Sequence, residues 1–224
     1  MESITLMNFD EKYFRDFNYS YRERLIKRHT LEALKWGSKV SGSNLLDGHG
    51  KTALDVGCAY GYAVDVLESL GYNAYGVDVS KHSLKYAKKN HEADFAVCDA
   101  QKGLPFKNQA FDLVTCFEVL EHLTNSTRAI RNMYESCRNI MIFTTPNRAV
   151  EKPIKKVLRD FDETHITARA SREWEKYIRE NLQFNFVKVE AFFDTSLRVK
   201  DKLLFFRSFK VPYFGLDVRI LIKK

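Results

Sequence analysis

The sequence predicts an α/β protein with a doubly wound, mostly parallel sheet, and three observations carry that expectation. Short apolar runs at residues 53–56, 74–79, 95–98, 113–117 and 140–144 alternate with helical patterns, as buried parallel strands do. Helix signals fall between the runs: Val64, Leu67 and Leu70 share a face ahead of Gly71, and Ser80 can cap a helix carrying Leu84 and Ala87. The first run breaks into a turn of small residues, G-C-A-Y-G at 57–61, before a helix begins.

That turn is the candidate cofactor site. Backbone approaches a ligand closely only where side chains are small or absent, and Gly57, Ala59 and Gly61 supply such positions on one arc. Asp55 lies in the strand before the turn, and Asp78 closes the next apolar run. A carboxylate at the tip of the second strand of a βαβ unit, about 20 residues past the glycine loop, can accept both hydroxyls of a ribose. A nucleoside ligand is expected. A dinucleotide is disfavoured, because G-x-G-x-x-G requires glycines where this chain has Ala59 and Tyr62.

The stretch 54–61 resembles the first motif of the class I S-adenosylmethionine-dependent methyltransferases. Ala59 departs from that pattern by one methyl group. G-V-D-V-S at 76–80 is similar to the second motif, D-F-A-V-C-D-A at 94–100 to the third, and L-P-F with F-D-L-V-T-C-F-E-V-L-E-H-L at 111–123 to the fourth. The resemblance implies S-adenosylmethionine as cofactor, held by Asp55, Gly57, Ala59, Gly61, Asp78, Val79, Asp99, Ala100 and Glu118. Asp99 would accept from the adenine amino group, Ala100 would pack at the ring, and Glu118 would lie beside the amino-acid end. It also implies a seven-stranded Rossmann-like sheet closed by a C-terminal antiparallel hairpin. E-V-L-E-H at 118–122 is similar to a subgroup that methylates small metabolites. At motif level the likeness covers residues 50–150.

Composition agrees with one compact enzyme. The 224 residues are 45% hydrophobic, enough for a single buried core, and no apolar run approaches the ~20 residues of a membrane helix. One domain is expected over 1–224: an N-terminal helical lid at 1–50, a cofactor half at 51–148 and a substrate-side half at 149–224. The N-terminus does not read as a secretion signal. Cys58, Cys98, Cys116 and Cys137 are widely spaced, which suits buried thiols in a reducing cytoplasm and offers no close pair for zinc; no metal site is expected.

Charge is lopsided. Residues 1–150 carry 19 Lys and Arg against 18 Asp and Glu, whereas residues 151–224 carry 17 against 11, so the formal +7 divides into +1 and +6. The basic part centres on 196–214, where Arg198, Lys200, Lys202, Arg207 and Lys210 interleave with Phe205, Phe206, Phe209, Tyr213 and Phe214. Such a segment can meet an anionic substrate, nucleic acid or a membrane surface, or simply pack its aromatics and solvate its charges.

Two segments can roof the site: the N-terminal stretch with Tyr13, Phe14, Phe17 and Tyr21, and the connection 146–170 that follows the fifth strand. D-E-T-H-I at 162–166 in that connection is similar to a segment of small-molecule methyltransferases. Methyl transfer from a sulfonium is an in-line displacement, and a hydroxyl acceptor must also lose its proton. His165 is the first candidate proton acceptor or substrate-orienting residue and His122 the second. A hydrogen bond that pins the loop is the competing role for His165, and helix capping or packing the competing role for His122. The expected activity is methyl transfer to an O- or N-nucleophile of a small molecule, anionic or lipid-like. A nucleic-acid methyltransferase and a non-catalytic cofactor-binding scaffold remain alternatives, and the missing G-x-G-x-x-G argues against an NAD-dependent oxidoreductase.

Overall fold

A computed structural model of the chain describes residues 9–150, 165–199, 202–212 and 214–224. Each expected strand is present within a few residues of its apolar run. They are β1 (Thr52–Val56), β2 (Asn73–Asp78), β3 (Asp94–Val97), β4 (Phe111–Phe117) and β5 (Cys137–Pro146). Parallel pairing joins β3 to β2, β2 to β1, β1 to β4 and β4 to β5. Helices α3 (Tyr62–Ser69), α4 (Lys81–Asn90) and α5 (Ser126–Ser136) lie between strands in the chain. Ser80 caps α4 as expected, its side chain accepting from the Ser83 amide.

The C-terminal part differs from the expectation of seven strands. After α6 (Ser171–Asn181) come β6 (Phe186–Val199), β7 (Lys202–Lys210) and β8 (Asp217–Lys223), and the sheet has eight strands in the order β3-β2-β1-β4-β5-β8-β6-β7. The additional strand is the core of the basic aromatic segment, whose mixture of cations and aromatics on both faces hides the alternation of a half-buried strand. The hairpin is formed by β6 and β7, and β8 inserts antiparallel between β5 and β6. Helix α6 begins at Ser171, and the Ala170 amide before it donates to the Glu173 carboxylate at 2.7 Å.

Both faces of the sheet are covered. On one, Leu54, Val114, Met141 and Ile220 pack with Ile130 and Met133 of α5 and with Trp174 and Ile178 of α6. On the other, Ala53, Ile142 and Leu221 pack with Val64 and Leu67 of α3 and with Ala33 and Leu34 of α2 (Glu23–Ser41). Helix α2 crosses the sheet closely at Gly37, where a Cβ would lie 2.6 Å from Ile142 Cδ1. A larger residue there would have to move the side-chain ends of Ile142 and Leu45. At the opposite end of the sheet from the glycine turn, Asp112 accepts from the Thr52 amide at 3.0 Å, Arg138 at 2.9 Å and Asn139 at 3.1 Å, tying together the starts of β1, β4 and β5.

Trp174 is fully buried, with the Arg169 guanidinium 4.7 Å from its ring. Trp174→Ala is expected to lower unfolding stability by about 3–5 kcal/mol through lost burial and an unfilled cavity, read from the urea midpoint at unchanged slope.

Candidate active site

The parallel strands end on one edge, and the turn after β1 opens the site. Gly57, Ala59 and Gly61 all have positive φ, at 78°, 46° and 83°. A Cβ on Gly57 would lie 2.2 Å from Val119 Cγ2, so β4's exit loop seats against bare backbone. Ala59 adopts a left-handed conformation that costs an alanine roughly 1–2 kcal/mol, and its amide donates to Asp78 Oδ2 at 2.8 Å. The Ser80 amide donates to Asp78 Oδ1 at 2.7 Å. Asp78 thus joins the tips of β1 and β2. Burial pushes its carboxyl up, against the pull of the Ser80 and Ala59 amides.

Asp55 is buried in β1 and accepts from Thr115 Oγ1 at 2.7 Å. Burial, with the Asp78 charge adding and the Thr115 hydrogen bond opposing, raises it to about 7. Val79, beyond Asp78, is 52% exposed. Asp99 follows β3, its Oδ1 accepting from the Gln101 amide at 3.0 Å, and the Ala100 carbonyl accepts from Asn132 at 2.7 Å.

Aromatics of the N-terminal segment lie on this turn. Phe14 of α1 (Glu11–Asp16) is buried and stacks on Tyr60 at 5.0 Å, and the Phe9 carbonyl accepts from Ser80 Oγ. Tyr13 and Phe17 are half-buried, but Tyr21 is 55% exposed and takes no part in the roof. Tyr19, in a 3-10 turn at Tyr19–Arg22, occupies that role: its ring lies 5.0 Å from Tyr60, and burial together with the Asp78 and Asp55 charges raises its phenol. The aromatic spacing along the chain does not distinguish Tyr19 from Tyr21. The left-handed Asn18, with φ of 47°, begins the 3-10 turn.

At the end of β4, Glu118 has φ of 54°, a strained conformation for a long side chain. Its amide donates to the Thr144 carbonyl at 3.0 Å and its carboxylate accepts from Thr144 Oγ1 at 2.7 Å. Glu118 opens to solvent, yet the protein around its carboxyl removes enough water to raise the pKa to about 7, with Asp217 adding and His29, Thr144 and His165 opposing.

Next to Glu118 the structure brings His122 and His165 together, with ring centroids 5.0 Å apart. The device that does so is Thr167, whose amide donates to the Glu121 carbonyl at 3.0 Å and whose hydroxyl donates to the Leu120 carbonyl at 2.8 Å. Glu121 is fully buried and accepts from Thr145 Oγ1 at 3.1 Å. One ligand atom from each of Glu121, His122 and His165 lies within 4.8 Å of the others. A carboxylate and two imidazoles at this spacing can share a proton or ligate a divalent cation. The cysteine spacing in the sequence carried no sign of such a trio. Asp162, Glu163 and Thr164 of the D-E-T-H-I segment lie outside the described residues.

A second polar cluster adjoins Glu118. His29 of α2 lies 3.2 Å from Asp194 Oδ2 and 3.3 Å from Asp217 Oδ2, while Arg219 reaches Asp194 at 2.8 Å and Asp217 at 3.2 Å. Sequence reading missed all four, because α2, β6 and β8 bring them together from distant parts of the chain. The cysteines take no part in this chemistry: burial raises the thiols of Cys58 and Cys116 well above their ordinary value and that of Cys137 to about 12.

This arrangement, a glycine turn and two acidic strand tips at the carboxyl edge of a Rossmann-like sheet, defines the methyltransferase fold. Residues 54–140 match the methyltransferase domain family. A solved S-adenosylmethionine-dependent methyltransferase from Archaeoglobus fulgidus superposes with a TM-score of 0.69 at 19% identity, over 95% of this chain and 100% of that one. Magnesium protoporphyrin IX methyltransferase from Synechocystis, solved with bound S-adenosylhomocysteine, superposes at 0.63 with 15% identity, over 95% and 97%. The ubiquinone biosynthesis O-methyltransferase of Actinobacillus pleuropneumoniae serotype 7 is 26% identical over 145 residues, a match that spans 58% of this chain and 60% of the relative. Residues 54–140 thus carry a methyltransferase domain, on the fold of the S-adenosylmethionine-dependent methyltransferases.

The His29 cluster generates a pH prediction. Burial lowers the His29 pKa, but the hydrogen bonds its ring donates to Asp194 and Asp217 outweigh it and carry the ring from 6.5 to about 10. A base held above its unfolded value contributes stability that is complete below pH 6.5 and is lost as pH rises through about 10. Urea midpoints measured across that window are expected to fall more steeply for the wild-type chain than for His29→Gln.

Proposed function

We propose that this chain transfers a methyl group from S-adenosylmethionine to an oxygen or nitrogen nucleophile of a small molecule. The observation that carries the reading is the assembly of Glu118, His122 and His165 beside the glycine turn, at the edge where ligands of open α/β sheets bind. The residues present suit an adenosyl cofactor: Gly57 and Gly61 present bare left-handed backbone, and the buried acidic group Asp78 closes β2 beside them. Asp78 would accept from the ribose hydroxyls, Val79 would pack at the adenine, Asp99 would accept from its amino group, and Glu118 would meet the amino-acid end. Bound there, S-adenosylmethionine supplies an electrophilic methyl on a sulfonium.

The chain's own work is alignment, exclusion of water and proton removal. Phe14 and Tyr19 keep solvent from the turn. His165 takes the proton of an acceptor hydroxyl, and His122 with the buried Glu121 carboxylate holds the ring and stabilises the imidazolium that forms. Glu121, His122 and His165 also support a second reading, in which they ligate a divalent cation that orients the acceptor's oxygens. Activity that disappears with EDTA and returns with added magnesium, manganese or zinc would favour it. The O-methyltransferase relative supports a hydroxyl acceptor. The nucleic-acid alternative draws on net charge alone.

Two measurements test the proposal. Titration calorimetry with adenosylhomocysteine is expected to register binding, and Asp78→Ala to weaken it about tenfold to a hundredfold through loss of charge-assisted hydrogen bonds. In a screen of metabolite pools for products heavier by one methyl, His165→Ala is expected to lower turnover roughly 10²- to 10⁴-fold with adenosylhomocysteine affinity unchanged. Full turnover in His165→Ala at every pH would remove its role as base, and absence of adenosylhomocysteine binding would remove the whole reading.

A further inference from the structure

We propose that the β6–β7 hairpin docks this protein onto an anionic lipid surface, with the mouth of the candidate active site facing the membrane. The inference is independent of the methyl-transfer reading and begins from the register of the strands. Phe192 of β6 pairs with Asp217, the first residue of β8, which itself pairs with Pro146, the last residue of β5. Residues 193–199 of β6 therefore run past the end of β8 and, among the described residues, pair with β7 alone. They project from the same edge at which β1, β4 and β5 end.

The projecting part is apolar where solvent reaches it. Cross-strand neighbours share a face, so the pairs Phe193↔Phe209 and Leu197↔Phe205 form one strip, with exposures of 42%, 47%, 57% and 39%. The opposite face, which carries Lys202, Ser208 and Lys210, also presents an apolar group: Leu204, adjacent to Phe205 in the strand, is 60% exposed. A rigid partner would cover one face of a hairpin. A fluid interface receives both.

Charge selects the kind of interface. Segment 196–214 carries Arg198, Lys200, Lys202, Arg207 and Lys210 against the single acidic Asp201. Of the acidic groups nearby on β6, Asp194 is paired with Arg219 and His29, and Glu190 with Lys188 and Lys210. Lys202 and Arg207 are exposed, and the Arg207 guanidinium lies 5.6 Å from the Phe205 ring, cation beside aromatic as at a headgroup boundary. The same cations oppose the other occupants. If β7 paired antiparallel with its own copy about Phe206, Lys202 would stand opposite Lys210. Aliphatic Leu197 and Leu204 offer nothing to a stacked base.

Co-sedimentation of the full chain with vesicles tests this, without cofactor present. Binding is expected to phosphatidylcholine vesicles containing phosphatidylglycerol, not to phosphatidylcholine alone, and to weaken as salt rises. Lys202→Glu and Arg207→Glu are each expected to lower partition at least about fivefold, the effect of ~1 kcal/mol per cation near an anionic surface. The double variant Leu197→Ser with Phe205→Ser is expected to lower it by about tenfold or more while keeping the wild-type circular dichroism. The proposal is overturned if the full chain stays in the supernatant with anionic vesicles, or if binding is indifferent to these substitutions. A dimer in sedimentation velocity that the apolar double variant dissolves would assign the hairpin to a second copy instead, and retention on a single-stranded oligonucleotide without vesicle binding would assign it to nucleic acid. Adenosylhomocysteine titration of the same variants is expected to match wild type, so failure here is separable from failure of the methyltransferase reading.

Discussion

The Asp78 carboxylate is the constraint on which the site depends. It accepts the Ala59 amide from the turn after β1 and the Ser80 amide from the start of α4. Those two bonds hold the tips of β1 and β2 in one geometry, and they explain how an alanine is kept in a left-handed conformation that glycine adopts more easily. The charged acceptor is almost wholly removed from water, so losing either amide would leave a buried carboxylate under-satisfied. The bare backbone at Gly57, exposed Val79 and the start of α4 are all positioned relative to that carboxylate.

A second polar assembly does the corresponding work for the other half. His29, Asp194, Asp217 and Arg219 come from a helix and two strands of the antiparallel part, and their mutual pairing fixes α2 against β6 and β8 beside Glu118. Glu118 adjoins this second assembly: burial and the Asp217 charge raise its carboxyl, while His29 and His165 lower it. Glu118 also holds a left-handed backbone conformation, with φ of 54°. Strain of this kind is sustained by the hydrogen bonds on either side of it, here the two made by Thr144.

The antiparallel half also gives the protein its asymmetry. Inserting β8 between β5 and β6 pushes β6 and β7 to the sheet's edge, where their last residues have no neighbour but each other among those described. Aromatics that would be core in a longer sheet become surface at the edge that holds the site. Cations distributed among them keep the edge from pairing with an identical strand.

The parallel half was legible in the chain because its signals are local. Apolar runs ending at Asp55 and Asp78, small residues at 57, 59 and 61, and a cap at Ser80 each state a backbone requirement within a few residues. The antiparallel half was legible only as separate strands. Seven were expected and eight form, because a strand like β7 with apolar groups on both faces lacks the period-2 pattern that marks one buried side. Tyr19 could not be told from Tyr21, because a one- or two-residue shift in helix phase decides which group faces inward. His122 and His165 were identified singly, but their pairing was decided by Thr167 docking on the 3-10 turn at Leu120–His122. Sequence by itself determined which residues can form the small-residue turn after β1, since that depends on local backbone sterics. Tertiary structure alone decided which distant polar groups share a cavity and which apolar ones stay in water, since those depend on strand order and on contacts between segments far apart in the chain.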